Sequence, residues 1–271
     1  MRRIEHPLFL LFTVALVGML GTFVLSIGAA GEPTGEVARA EAATSVPAHE
    51  ADRAGSDRRH SRATRRSSRP APDPDTTILT VRPGATVELR DAPGGSVVAT
   101  LDDSTEFGSP TVLAVAERHG RWAGVPTELL PNGKLGWVKL DSSRLATDSV
   151  GQSIVIDLSE MRGELFRGEK LERRWSVGIG APDTPTPTGH FAITDEIEGG
   201  LNPVYGCCAI ALSATQPNLP AGWSGGNRIA IHGTSEPLGE ANSTGCVHSG
   251  EDDLRALIEG VPLGTPVTIR R

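Results

Sequence analysis

Apolar and polar positions divide the chain into stretches of different character. Residues 8–30 form an uncharged, mostly apolar run that follows Arg2 and Arg3. A helix of this length would span about 34 Å, enough to cross the hydrocarbon core of a bilayer, and the arginines favour a cytoplasmic N-terminus. We therefore predict an N-terminal transmembrane signal-anchor within residues 1–30. A cleaved signal peptide that ends near Ala29 and Ala30 remains the alternative, and both interpretations export the chain.

The next stretch, residues 31–76, is rich in Ala, Arg, Ser, Pro, Asp and Glu and contains almost no large apolar side chain. Such a composition cannot bury enough surface to offset the entropy lost on ordering. We predict a disordered linker that tethers the rest of the protein near the membrane.

Short apolar or alternating runs separated by Pro and Gly turns fill the remainder of the chain. This pattern predicts a small β-barrel or sandwich over residues 77–148, with Trp122 and Trp137 as core anchors, and a β-rich domain over residues 150–271. One helix is expected at residues 251–259, because apolar residues recur at helical spacing after an acidic first turn and Gly260 follows. The predicted fold class is mostly β with one short helix.

Composition narrows the possible partners. The formal net charge is −7, so bulk charge gives no support for a nucleic-acid partner. The 3 cysteines are too few for a disulfide framework and contain no CxxC pair, so no structural metal site is expected. Cys207 and Cys208 are adjacent and are interpreted as strand packing, with pairing to another thiol left open.

Two short segments of the sequence contain residues that could take part in catalysis. His232 ends an apolar strand, and Cys246 lies in a tight segment after Gly245. A nucleophilic cysteine needs a neighbouring imidazole or oriented backbone amides, and the glycine would let the N–H groups of residues 245 and 246 point at a developing oxyanion. The alternative is a buried small thiol and a hydrogen-bonded core histidine.

The sequence motifs around His232 and Cys246 favour the catalytic interpretation. Four strings occur in the order seen in L,D-transpeptidases of the YkuD type: residues 177–180, 184–191, 231–234 and 243–247. The resemblance covers residues 153–271, and the segment before it, with Trp122 and Trp137, resembles an SH3-like module. It implies an SH3-like small β-barrel followed by a YkuD-type β-sandwich catalytic domain.

The resemblance also implies an activity. The enzyme would be bacterial and extracytoplasmic, would act on peptidoglycan stem peptides in cell-wall biogenesis and cell shape, and would need no cofactor. Cys246 would attack an amide next to a D-amino acid, D-alanine would leave, and an amine of a neighbouring stem would resolve the thioester. His232 would activate the thiol. Carbapenem-type β-lactams are the expected inhibitors.

Several further positions acquire roles in this comparison. Ser243, Thr244 and Gly245, together with Gly233, would form the oxyanion site or its loop, and His248 and Tyr205 are possible substrate-binding residues.

Two departures from the family pattern leave alternatives open. Thr244 replaces a histidine, and His248 replaces an arginine suited to a substrate carboxylate. A catalytically weak wall-binding protein on a YkuD scaffold therefore remains possible. An L,D-carboxypeptidase also remains possible, because water can replace the amine. A surface position for His248 is open as well.

Overall fold

The structure is a computed structural model that describes residues 75–271. The predicted transmembrane segment, and the predicted linker up to residue 74, lie outside the described residues. The first strand begins at Thr76, the last residue assigned to the linker. Within residues 75–271, no helix is both long and apolar enough to span a bilayer.

The N-terminal module, residues 76–150, consists of two antiparallel sheets. One has the order β4-β1-β8 and the other the order β3-β2-β7-β6-β5. The strands are β1 (Thr76–Val81), β2 (Val87–Arg90), β3 (Val97–Leu101), β4 (Val112–Ala114), β5 (Glu117–His119), β6 (Trp122–Pro126), β7 (Leu135–Lys139) and β8 (Leu145–Val150). This all-β architecture confirms the predicted class, whereas the SH3-like assignment stays a prediction.

The core of the N-terminal module is aliphatic. Leu79, Leu89 and Val138 are fully buried in it, in agreement with the alternating pattern of the strands. Trp122 and Trp137 are only partly buried, so the prediction that they anchor this core was wrong. The pleat explains the error: Trp137 stands between Gly136 and Val138, and Val138 takes the core face of β7.

The C-terminal module, residues 151–271, forms a β-sandwich. Its strands are hydrogen-bonded in the order β10-β9-β17-β12-β13-β14-β16-β11-β15, and β10 also pairs with β11. Its elements are β9 (Gln152–Asp157), β10 (Arg162–Arg167), β11 (Lys170–Gly180), β12 (Gly189–Ile197), β13 (Ala209–Thr215), β14 (Arg228–Gly233), β15 (Ala241–Ser243), β16 (Val247–Ser249), α1 (Glu251–Gly260) and β17 (Pro266–Arg270).

Two long strands join the halves of this sandwich. The first part of β11 pairs with β10, and its last residues pair with β16 and β15. Similarly, β12 pairs first with β17 and then with β13. The apolar side chains of both halves therefore share one core, which includes Ile154, Ile193 and Ile231.

The single α-helix among residues 75–271 confirms the predicted one within a residue. Leu254 and Leu257 lie on one face of α1 and are fully buried in the core. Three acidic residues in the first turn favour this start, because carboxylates stabilise the positive end of a helix dipole. The helix follows β16 along the chain and packs against β14. It therefore supports these two strands, which carry the candidate site described below.

The adjacent cysteines behave differently from the prediction. Cys207 and Cys208 form a disulfide with each other, and β13 begins only at Ala209. The pair therefore lies in the connection before the strand, where its side chains need not alternate between two faces. Both cysteines pack against the core as expected, but the prediction that they lie within a strand was wrong.

Candidate active site

The site is built on two neighbouring parallel strands. Ile231 of β14 stands opposite Val247 of β16, and His232 stands opposite His248. Because Ile231 and Val247 face the core, strand alternation turns His232 and His248 to the other face of the sheet. Cys246 directly precedes β16, next to this pair of histidines in the sequence.

The thiol of Cys246 lies along the backbone of β14. Its Sγ is 3.9 Å from the carbonyl oxygen of Arg228, which accepts its hydrogen. Burial raises the pKa of the Cys246 thiol above its usual 9.0, and a backbone hydrogen bond from Ala230 opposes this effect. The resting group is therefore the neutral thiol, which has to lose its proton as it attacks.

His232 has a fixed tautomer. Its Nδ1 lies 2.7 Å from the carbonyl oxygen of Gly233, and because a carbonyl only accepts, Nδ1 carries the hydrogen. The Nε2 atom of the neutral ring is then the one that can accept a proton. This is the arrangement required of a general base.

The protonation of His232 is set mainly by burial. Its side chain is almost wholly buried, and this desolvation lowers the imidazole pKa from 6.5 to about 4. The hydrogen bond to Gly233 raises the pKa and the neighbouring His248 lowers it, but both effects are smaller than burial. The imidazole is consequently neutral, and able to accept a proton, throughout the neutral range.

His248 lies inside the site rather than on the surface, so the surface alternative was wrong. It is buried, and its ring centroid is 4.9 Å from that of His232 in an edge-on arrangement. Its Nδ1 has no hydrogen-bond partner among residues 75–271, and burial lowers the pKa of its imidazole below the usual 6.5. His248 is therefore uncharged near neutral pH, unlike the arginine that it replaces.

Tyr205 covers the other side of His232. It ends the 3-10 turn Pro203–Tyr205, and its ring centroid is 4.9 Å from that of His232. The turn approaches β14 closely, since a Cβ at Gly206 would be 2.7 Å from the Gly233 carbonyl carbon. The structure thus brings Tyr205 and Gly233 next to His232.

The loop before Cys246 is held by Ser243. The Ser243 hydroxyl donates to the Cys246 carbonyl oxygen at 2.6 Å and accepts from the Gly245 N–H at 3.1 Å. The Gly245 N–H, expected to point at an oxyanion, is therefore engaged by Ser243 in the resting structure. Thr244 contributes its carbonyl oxygen, which accepts a hydrogen bond from Gln216.

Sequence reasoning missed Gln216. This buried side chain lies beneath the loop, and its Nε2 is 3.2 Å from each of three carbonyl oxygens, those of Thr184, Pro185 and Thr244. A Cβ at Gly245 would lie 2.0 Å from this nitrogen, so Gln216 explains why glycine precedes the cysteine. A lone glutamine after a strand carries no motif that would have indicated this role.

Residues 75–271 contain no group of three His, Cys, Asp or Glu side chains arranged to hold a metal ion. The chemistry of the site as described rests on a thiol, a neutral imidazole and backbone groups.

A model of a known protein family matches the C-terminal module. Residues 151–269 match the YkuD family model, described as the L,D-transpeptidase catalytic domain. The match supports a YkuD-type L,D-transpeptidase catalytic domain in the C-terminal module.

Curated relatives carry related names. The chain is 34% identical over 109 residues to the putative L,D-transpeptidase YqjB of Bacillus subtilis, a match that covers 37% of this chain and 60% of that protein. It is 27% identical over 124 residues to the putative L,D-transpeptidase YkuD of Bacillus licheniformis, covering 45% and 67%. The chain thus spans 60% of the length of the first relative.

Solved structures that the chain matches include an L,D-transpeptidase from Mycobacterium tuberculosis H37Rv, with 16% identity, a TM-score of 0.38 and coverage of 51% of this chain and 72% of that one. An L,D-transpeptidase from Mycobacterium smegmatis has 14% identity, a TM-score of 0.38 and coverage of 72% and 99%.

Proposed function

We propose that the C-terminal module is a peptidoglycan L,D-transpeptidase that works through a thioester on Cys246. One observation carries the proposal: Cys246 directly precedes β16, whose His248 stands opposite His232 on the adjacent parallel strand, and a backbone carbonyl holds the His232 Nδ1–H so that Nε2 can accept a proton. The family match over residues 151–269 supports the reaction class.

The first half-reaction transfers an acyl group to the enzyme. As the Cys246 Sγ attacks the carbonyl carbon of the donor stem amide, its proton passes to His232 Nε2. The tetrahedral intermediate collapses when the C–N bond breaks, and the departing amine of D-alanine takes the proton from His232. The donor peptide remains as a thioester.

The second half-reaction forms the cross-link. An amine of a neighbouring stem attacks the thioester carbonyl and gives its proton to His232. The C–S bond then breaks, and the proton on His232 returns to the departing Cys246 sulfur. The enzyme is regenerated, and one new amide bond replaces the one that was broken.

The pKa directions support general-base activation rather than a resting ion pair. Burial keeps His232 neutral and also keeps the Cys246 thiol protonated. A thiolate–imidazolium pair would require both shifts in the opposite sense. Proton transfer is therefore coupled to attack on the substrate.

The developing oxyanion needs two backbone donors. We assign it to the N–H groups of Cys246 and Gly245. The Gly245 N–H would exchange the Ser243 hydroxyl for the oxyanion as the intermediate forms, a bond that exists only in the transition state and so favours the reaction.

The exposure of Tyr205 and the charge of His248 indicate which of the two can contact the substrate. Tyr205 is partly exposed beside His232 and is our candidate for contact with the stem peptide. We assign His248 to tuning and holding His232, because a buried neutral imidazole offers little to a carboxylate.

The proposal extends to location. The apolar run at residues 8–30 would anchor the chain in the cytoplasmic membrane of a bacterium, and the linker would place the SH3-like N-terminal module and the catalytic module in the cell envelope outside it.

Tetrapeptide stems test the function directly. The full chain is incubated with a tetrapeptide stem that carries a free amine, and the products are separated and weighed. We expect dimers that have lost one D-alanine, and none with Cys246→Ala. Tripeptide without dimer would instead indicate an L,D-carboxypeptidase, and unchanged substrate would indicate a wall-binding protein.

A further inference from the structure

The N-terminal module carries no residue of the proposed catalytic set, yet one of its turns reaches the C-terminal module beside the nucleophile loop. Asn132 lies in the connection between β6 and β7 and binds Thr215, the last residue of β13. Its Nδ2 donates to the Thr215 carbonyl oxygen at 2.6 Å, and its Oδ1 accepts from the Thr215 N–H at 3.0 Å and the Thr215 hydroxyl at 3.3 Å. The amide thus pairs with the end of the strand as a neighbouring backbone would.

The next residue along the chain is Gln216, so the contact made by Asn132 is adjacent to the support of the nucleophile loop. The Gln216 N–H donates to the Asn227 carbonyl oxygen at 2.7 Å. The Gln216 Oε1 accepts from the Asn218 N–H at 3.0 Å, and Nε2 serves the three carbonyl oxygens named above. Both ends of this buried amide are therefore engaged, and its position follows that of its backbone.

Gln216 in turn limits where the nucleophile loop can lie. It bonds the Thr244 carbonyl oxygen and occupies the space that a side chain at residue 245 would fill. Gly245 has φ +112°, a conformation that favours glycine. A displacement of Gln216 would move the N–H groups that we assign to the oxyanion.

The N-terminal module also contacts Arg228, the residue whose backbone lies next to the Cys246 thiol. Arg228, whose carbonyl oxygen accepts the Cys246 hydrogen, forms ion pairs through its side chain with Glu128 at 2.9 Å and Glu106 at 3.1 Å. Both glutamates belong to the N-terminal module. Its contacts therefore reach two segments near the nucleophile, one at Thr215, which precedes Gln216, and one at the start of β14.

We propose that Asn132 is a positioning residue for the nucleophile loop and that it acts through Thr215 and Gln216. The inference rests on the proposed function, because the loop is assigned to the oxyanion site. A misplacement of 1 Å or less at such a site slows the chemical step strongly, whereas substrate binding elsewhere in the cleft is unaffected. The N-terminal module is then part of the catalytic unit.

The test compares Asn132→Ala with Lys134→Ala in the full chain. Lys134 is exposed in the same turn and makes only a backbone bond to Pro131, so its side chain is a matched control. We expect Asn132→Ala to lower the maximal acylation rate by a carbapenem on the order of ten-fold without changing the half-saturating concentration. Lys134→Ala should leave both unchanged.

Hydrogen exchange separates positioning from general loss of stability. In Asn132→Ala, amides in the peptide that spans residues 243–247 should exchange several-fold faster, while those of β9 and β17 stay protected as in the parent. Asn132→Asp retains the acceptor for the Thr215 N–H and loses the donor, so it should fall between the parent and Asn132→Ala.

The other possible outcomes also bear on the positioning role of Asn132. An unchanged acylation rate, or a slower rate with unchanged exchange at residues 243–247, would overturn the positioning role. Faster exchange throughout the C-terminal module would mean that Asn132 merely stabilises the fold. If the parent chain is not acylated at all, the proposed function fails, but exchange at residues 243–247 still shows whether Asn132 holds the loop.

Discussion

The two modules bury different kinds of side chain. The core of the N-terminal module is aliphatic, and its few buried polar residues are Ser and Thr. The C-terminal module has a larger apolar core, but it also buries His232, His248, Ser243 and Gln216 around the segment that carries Cys246, as well as charged residues such as Asp157 and Glu164 elsewhere. Buried polar groups are costly unless they are hydrogen-bonded. The C-terminal module therefore carries a burden of buried polar groups that the N-terminal module lacks, and one part of it lies around the thiol.

The largest effect should come from the thiol itself. Cys246→Ala should abolish turnover of stem peptides, because no other free cysteine lies within residues 75–271. The melting temperature should change by only a few degrees, since the substitution removes one sulfur from a partly buried position. Turnover and thermal unfolding measured on the same preparation check both statements. Residual turnover would show that the buried polar face serves another purpose.

The next effect concerns the base. His232→Ala should slow acylation roughly 100-fold or more, the usual scale for a positioned base. His190→Ala is the control, because this exposed histidine on β12 contacts Thr268 away from the site and should leave the rate unchanged. Stopped-flow acylation by a carbapenem provides the measurement. Equal rates in the two variants would remove His232 from the mechanism.

The acidic limb of the pH profile should report burial of His232. The folded pKa lies near 4, below the usual 6.5, so the imidazole stays unprotonated until the pH approaches 4. The acylation rate should therefore be half-maximal near pH 4 and flat from pH 5.5 to 7.5. A half-maximal rate near pH 6.5 would mean that the imidazole is hydrated when it works, contrary to the described packing.

The smallest effect is a change in stability at Glu196, a half-buried carboxyl outside the site. Burial, with Glu198 in a smaller role, raises the pKa of Glu196 from 4.5 to about 7. A raised folded pKa favours the fold below pH 4.5, and this contribution is lost as the pH rises through 7. Glu196→Gln should therefore leave stability unchanged at pH 4.

At pH 8 the same variant should gain about 1 kcal/mol, a small value because solvent screens a partly exposed carboxylate. Urea unfolding at both pH values measures the difference. Glu117→Gln, on exposed β5, is the control. Equal behaviour of the two variants would mean that Glu196 is as well hydrated as Glu117.

The comparison also explains what the sequence could predict. Alternation and helical spacing are local, so the β class and the helix at Glu251–Gly260 followed from neighbouring residues. Cys246 and His232 were identifiable because short strings around them resemble a family. The tautomer of His232 was not, since it depends on the Gly233 carbonyl in three dimensions.

Contacts between residues far apart in the sequence could not be predicted, for a related reason. Asn132 and Thr215 are 83 positions apart, and no local pattern links them. The sequence left a surface position for His248 open, because the pairing of β14 with β16 that brings it to His232 depends on the fold. The Cys207–Cys208 disulfide depends on where β13 begins, and strand boundaries are the least certain part of a sequence reading.

The most direct test of the account is the site of acylation. The full chain is incubated with a carbapenem, digested, and mapped by mass spectrometry, with Cys246→Ala as the control. The account predicts one adduct per chain, on the peptide that carries Cys246 and His248, and no adduct in the variant. An unmodified thiol at Cys246, or an adduct that persists in the variant, would contradict it.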